Sequence, residues 1–291
     1  MRLCLIAVLL LSACAPSAEQ PGGSEASKAQ AAAATARLSA TPAGQTVLRA
    51  VTAHGGLQAW YEAPTSSYNW EYSNAGSNTR FKSFLVADNA TRLAYHDLTE
   101  MGVPDSVGPV EAQFAWNGDV AWMNPPEIMS PNPMFWATTG YYFQSIPFVL
   151  ADPGLRYDAL PADTLDGRPY DMVRVSYDVG VGYSDGDSYT LYVDQETDML
   201  RAIRYTVTYG RGRPAEGAPQ RENLFYYNDY TTVDGLKMPT HFIGYQYADG
   251  QKGDYRNEAW ASDFSFRRPF DPARLEVPEG ARVVSPPSAE S

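Results

Sequence analysis

The sequence predicts a mainly β fold: one large antiparallel sheet of about eleven strands, curled into an incomplete, half-open β-barrel with an N-terminal helix and a helical plug. Three observations predict it. Short alternating runs bounded by turn residues recur from Ser67 to Phe266. The chain carries 20 Tyr, 11 Phe and 6 Trp, residues that suit a pleated, half-buried surface. One long aromatic stretch, Met134 to Leu150, is interrupted by Gly140 and Pro147 and so reads as short helical pieces.

In chain order, Thr46 to His54 places Val47, Val51 and His54 at helical spacing, and Gly55-Gly56 ends that helix. Leu57 to Tyr61 reads as a further short turn of helix. Strands are expected at 67–72, 80–87, 91–96, 112–116 and 120–123, with Asn117-Gly118 as a hairpin turn. Pro125 to Pro133 is proline-dense loop, and the Met134 to Leu150 plug follows. Strands resume at 170–178, 188–194, 200–209, 223–230, 240–247 and 255–266, separated by turns rich in Asp and Gly. Tight turns between consecutive strands require antiparallel pairing.

The first residues carry a different signal. Arg2 precedes an apolar run from Leu3 to Leu11, and Leu11-Ser12-Ala13 leads directly into Cys14. This is the layout of a secretory signal, and the run is shorter than the roughly 20 apolar residues that a membrane-spanning helix needs. Leu-Ser-Ala-Cys resembles the bacterial lipobox, which implies cleavage after Ala13 and lipidation of Cys14. With Cys4 removed and Cys14 acylated, the mature chain keeps no thiol for a disulfide, a metal or nucleophilic catalysis. The second mature position is Ala15; an Asp there would resemble the inner-membrane retention signal of enterobacterial lipoproteins, so the resemblance implies the periplasmic face of the outer membrane. The expected organisation is signal peptide 1–13, lipidated cysteine and flexible tether 14–43, a single β domain 44–284, and a disordered tail 285–291. The tether is assigned on its Ala, Ser, Gly, Pro and Gln content, with Leu38 as its one large apolar side chain and a nascent helix around 29–37.

The formal net charge of -12 disfavours binding to nucleic acid or directly to anionic lipid headgroups, both of which need clustered Lys and Arg. No cofactor is implied. Gly182-Tyr183-Ser184-Asp185-Gly186 matches the nucleophile-elbow pattern, but that motif needs a strand-to-helix turn and here lies between two expected strands. A hydrolase is accordingly disfavoured. Asp178, Asp185 and Asp187 share one turn without the spacing of a calcium loop, and His54, His96 and His241 fall on separate elements, so no metal site is expected. His54, just before Gly55-Gly56, is explained by a favourable contact with the C-terminal end of the helix dipole. No acidic pair for glycoside hydrolysis can be singled out.

Several motifs together resemble a family. They are Ala53-His54-Gly55-Gly56-Leu57 with Trp60, Asp187 to Asp194 followed by Thr197 and Leu200 to Tyr205, Asp234-Gly235-Leu236-Lys237-Met238-Pro239-Thr240, and Arg274-Leu275-Glu276-Val277-Pro278. Over residues 45–283 the chain resembles Gram-negative lipoproteins related to the periplasmic lipoprotein-carrier and outer-membrane lipoprotein-receptor superfamily. The resemblance implies an open barrel whose concave, apolar face is plugged by helices and holds acyl chains, with no catalytic residues. The expected ligand is a hydrophobic or amphipathic molecule, such as an acyl chain, a lipid or a lipoprotein. The expected lining residues are Trp70, Trp116, Trp122, Phe135, Trp136, Tyr142 and Phe143. The alternatives are a carbohydrate-binding lipoprotein, using exposed Trp and Tyr, and an envelope scaffold.

Overall fold

The computed structural model describes residues 24–182, 184–210, 215 and 220–287. Cys14 and the signal segment lie outside them, as do Tyr183 and the end of the tail. Among the described residues, thirteen strands form one antiparallel sheet that does not close on itself. They are β1 Thr65–Asn74, β2 Thr79–Asp88, β3 Ala94–Val103, β4 Ser106–Trp116, β5 Ala121–Asn124, β6 Leu155–Leu165, β7 Arg168–Tyr177, β8 Ser188–Asp194, β9 Leu200–Tyr205, β10 Glu222–Val233, β11 Leu236–Ala248, β12 Gln251–Ser265 and β13 Arg282–Val284. The eleven expected runs are all strands. The two additional ones, β6 and β13, form the sheet's edges. Most of β6 faces solvent, so it lacks the apolar alternation that would have revealed it.

The order β13-β5-β4-β3-β2-β1-β12-β11-β10-β9-β8-β7-β6 consists of two meanders joined where β1 pairs with β12. This topology explains the plug. The chain leaves β5 near one edge and must re-enter at β6 on the other, so residues 125–154 have to cross a face of the sheet. They do so through α4 (Pro133–Gln144) and a 3-10 turn, Phe148–Ala151. Asn132 caps α4 by accepting from the Met134 N–H at 2.9 Å. Three contacts fasten α4 across the sheet: His96 Nε2 lies 3.1 Å from the Ala137 carbonyl, Tyr227 Oη donates to Phe143 O at 3.0 Å, and Gln144 Nε2 donates to Pro239 O at 2.9 Å.

Helices α1 (Glu25–Ser39), α2 (Pro42–Ala53) and α3 (Gly56–Glu62) precede the sheet. From residue 25 on, α1 replaces the tether expected over 14–43. Its Ala31, Ala34 and Leu38 are buried in the main core. The physical reason is twofold: alanine is the strongest helix former, and its small side chain allows close packing on α2 and α3. Composition alone does not reveal that packing. Gly55 (φ 119°) and Gly56 (φ 86°) turn the chain between α2 and α3 in the left-handed region. A Cβ on Gly55 would fall 2.3 Å from the Gly235 carbonyl, and the Lys237 N–H donates to His54 O at 2.8 Å. Two of the motifs that carry the family resemblance therefore fit against each other.

Candidate functional site

The site is the space between the concave sheet face and the helices, a cavity of about 1050 Å³. Strand alternation decides what faces it. Along β8, Tyr189, Leu191 and Val193 join the main core under the helices, whereas Tyr192 joins a separate cluster on the outer face. The inward rings of neighbouring strands continue this layer: Tyr189 stacks with Tyr205 at 6.3 Å, and Phe225 stacks with Phe242 at 5.3 Å. From above, Phe143 on α4 meets Tyr205 at 4.9 Å and Phe225 at 5.4 Å.

Of the residues expected to line the concavity, Trp116, Phe135, Tyr142 and Phe143 do border the cavity. Trp70 lies beneath α4, where Gly140 lets the helix backbone rest on the indole. A Cβ there would sit 3.3 Å from the ring. Trp136 points away from the cavity into Tyr72 (4.3 Å) and Phe81 (5.0 Å) and is part of the packing. Trp122 requires a correction. It sits between the inward Ala121 and Met123 on β5, so the pleat turns it to the opposite face. There the C-terminal segment covers it, and its Nε1 donates to Leu275 O at 3.2 Å.

The polar lining has no comparable signature in the sequence. Arg92 donates two bonds to Asp152, at 2.9 and 2.8 Å, and a third to the Tyr141 hydroxyl. Arg37 of α1 donates to the Ala151 carbonyl. Asp187 accepts from the Thr208 N–H at 2.5 Å and from its hydroxyl at 2.8 Å, and burial pushes its carboxyl up to about 6. The Tyr142 and Tyr177 hydroxyls bond to each other between these groups. Burial also raises the pKa of the cavity tyrosines Tyr142, Tyr177, Tyr189 and Tyr205, which keeps them neutral. Arg92 had one local signal. It occupies the left-handed position (φ 65°) after an Asp-x-x-Thr turn, in which Asp88 accepts from the Thr91 N–H at 2.7 Å. Asp194 and Thr197 repeat the turn at 2.9 Å, with Asp198 (φ 56°) in the same place.

Ser184 borders the cavity in the loop between β7 and β8, a hairpin connection and not a strand-to-helix elbow. His96 is bonded to Ser83 Oγ at 3.0 Å and stacked on Phe114, while His241 is bonded to Glu258 at 2.6 Å. The three loop acids have separate partners: Asp178 pairs with Arg156, Asp185 accepts from Gly180, and Asp187 accepts from Thr208. Among the described residues, no group of three His, Cys, Asp or Glu is arranged to hold a metal. His54 and His96 are held neutral by burial, each lowered to about 4. The favourable pole of a helix therefore does not account for His54. Its ring packs between Phe148 and Tyr230, and its Nδ1 bonds the Ala50 carbonyl at 2.7 Å.

No family model matches the chain, and no curated protein matches it in sequence. Among solved structures it is similar to a LolA superfamily protein from Nitrosomonas europaea, with a TM-score of 0.50 and 10% identity, covering 79% of this chain and 95% of that one. It is also similar to a DUF1329 family protein from Desulfovibrio piger, with a TM-score of 0.50 and 12% identity, covering 81% of this chain and 97% of that one. What is shared is the architecture: an open antiparallel half-barrel with helices on its concave face, as the motif resemblance implied. Among the described residues, no helix is long and apolar enough to cross a membrane.

Proposed function

We propose that this chain is a lipid-anchored binding protein of the bacterial envelope, tethered through Cys14 to the periplasmic face of the outer membrane. Its cavity holds a hydrophobic or amphipathic ligand, an acyl chain, a lipid or the acyl part of a lipoprotein. The observation that carries this reading is the aromatic cavity of about 1050 Å³ between α4 and the sheet, the size and lining of a small-molecule site. Binding, without chemistry, is the role assigned. Titration of the full chain with a fluorescent fatty acid tests it. Saturable binding that unlabelled fatty acid displaces is expected, and a flat titration would leave an envelope scaffold as the better reading. The anchor is tested separately: Cys14→Ser should abolish incorporation of labelled palmitate, and undiminished label would refute it.

A further inference from the structure

Four charged residues border the cavity, and they are segregated. Arg37, Arg92 and Asp152 gather at one end, where the end of α1 meets the β2–β3 turn and the segment after the 3-10 turn. Asp187 lies apart, held by Thr208. At the first end the charges do not cancel. Arg92 is matched by Asp152 through its two bonds, which leaves Arg37 as an additional cation. Arg37 uses one Nη on the Ala151 carbonyl and leans on Tyr157; its charge also pulls on the Asp152 carboxyl, but among the described residues it makes no ion pair of its own at contact distance. Its Nε is buried and without an acceptor. That Nε is closed off from the cavity, so the side chain borders the cavity with the rest of its guanidinium, whose N–H groups suit a carboxylate or phosphate.

We propose that the cavity takes an amphiphile with a single anionic headgroup, a carboxylate or a phosphate. The headgroup lies on the Arg37–Arg92 end, and the apolar chain runs alongside α4 toward Phe143 and Tyr189. This assignment rests on the binding role proposed above and adds the polarity and orientation of the ligand. A neutral headgroup would leave Arg37 unmatched, and a cationic one would face two guanidinium groups. Ionised Asp187 disfavours the reverse orientation.

The test is displacement of an uncharged fluorescent alkyl probe from the full-length protein by dodecanoate, dodecyl phosphate, dodecanol and dodecyltrimethylammonium. The anions should displace it about tenfold more effectively than dodecanol, the equivalent of one charge-assisted hydrogen bond. The cation should be weakest. Arg37→Gln should bring dodecanoate and dodecanol together, while Arg37→Lys, which keeps the charge and loses the guanidinium geometry, should keep part of the preference. The dodecanoate and dodecyl phosphate arms distinguish a fatty acid from a phospholipid-like ligand. Equal displacement by anion and alcohol in the wild-type chain, or a preference that survives Arg37→Gln, overturns the assignment alone. Failure of every amphiphile to bind, the uncharged probe included, overturns the binding role together with it.

Discussion

Two buried histidines and two half-buried acids give the protein opposing responses to pH. His54 and His96 are lowered to about 4, against about 6.5 in an unfolded chain. Between those values the unfolded state binds more protons, so stability is lost as pH falls through the window. Asp187, raised to about 6, has the opposite sign: the folded state holds its proton longer, and stability is gained as pH falls from 6 toward 4. Burial raises Asp152 too, against the pull of Arg92, and it acts in the same sense as Asp187. From pH 7 to 5 each histidine costs roughly 2 kcal/mol, and Asp187 returns about 1 kcal/mol. Urea unfolding should therefore show a less stable protein at pH 5. Asp187→Asn should steepen that acid loss by about 1 kcal/mol; an unchanged slope would mean Asp187 titrates normally. Trp136 and Phe143 separate packing from binding in the same way. Trp136→Ala should cost about 3–5 kcal/mol and leave probe affinity unchanged, because its indole packs on Tyr72 and Phe81 away from the cavity. Phe143→Ala should lower probe affinity in a direct titration, since its ring borders the cavity.

At the scale of elements, α1 and α4 build the cavity's roof from opposite kinds of sequence. Helix α4 is apolar and aromatic and was legible as a plug lying on the sheet. Helix α1 is alanine-rich with one leucine, and nothing local in that composition distinguishes a packed helix from a solvated tether. Leu38 decides between them, because its side chain is fully buried against the other N-terminal helices. Leu38→Ala should lower stability by about 2–5 kcal/mol. A neutral substitution, read by thermal unfolding, would return the segment to the status of a tether. Gly140 tests the seat of α4. Gly140→Val forces a side chain into the Trp70 ring and should cost about 1–3 kcal/mol. It should also weaken probe binding, because shifting α4 moves the residues with which it lines the cavity.

For the molecule as a whole, the proposed binding role predicts that ligand and fold stability are linked. A ligand that binds only the folded state stabilises it by mass action, about 2.7 kcal/mol at a hundredfold excess over Kd. Saturating dodecanoate should therefore raise the melting temperature of the full chain, and a flat response would contradict binding in the cavity. EDTA should leave that temperature unchanged, since the loop acids are already committed to Arg156, Gly180 and Thr208; a fall would reveal a structural cation.

The sequence by itself determined the class of fold, the eleven central strands and the identity of the plug, because period-two alternation and Asp-Gly turns are local signals. Four of the aromatic residues it singled out, Trp116, Phe135, Tyr142 and Phe143, border the cavity. Only the tertiary structure decided the rest. A one-residue step along β5 turned Trp122 to the outer face, packing converted an alanine-rich segment into α1, and the exposed edge strands β6 and β13 had no periodicity to betray them. The cationic end of the cavity belongs to the same category. Arg37, Arg92 and Asp152 come from three distant segments, and only the return of the chain across the sheet brings them together.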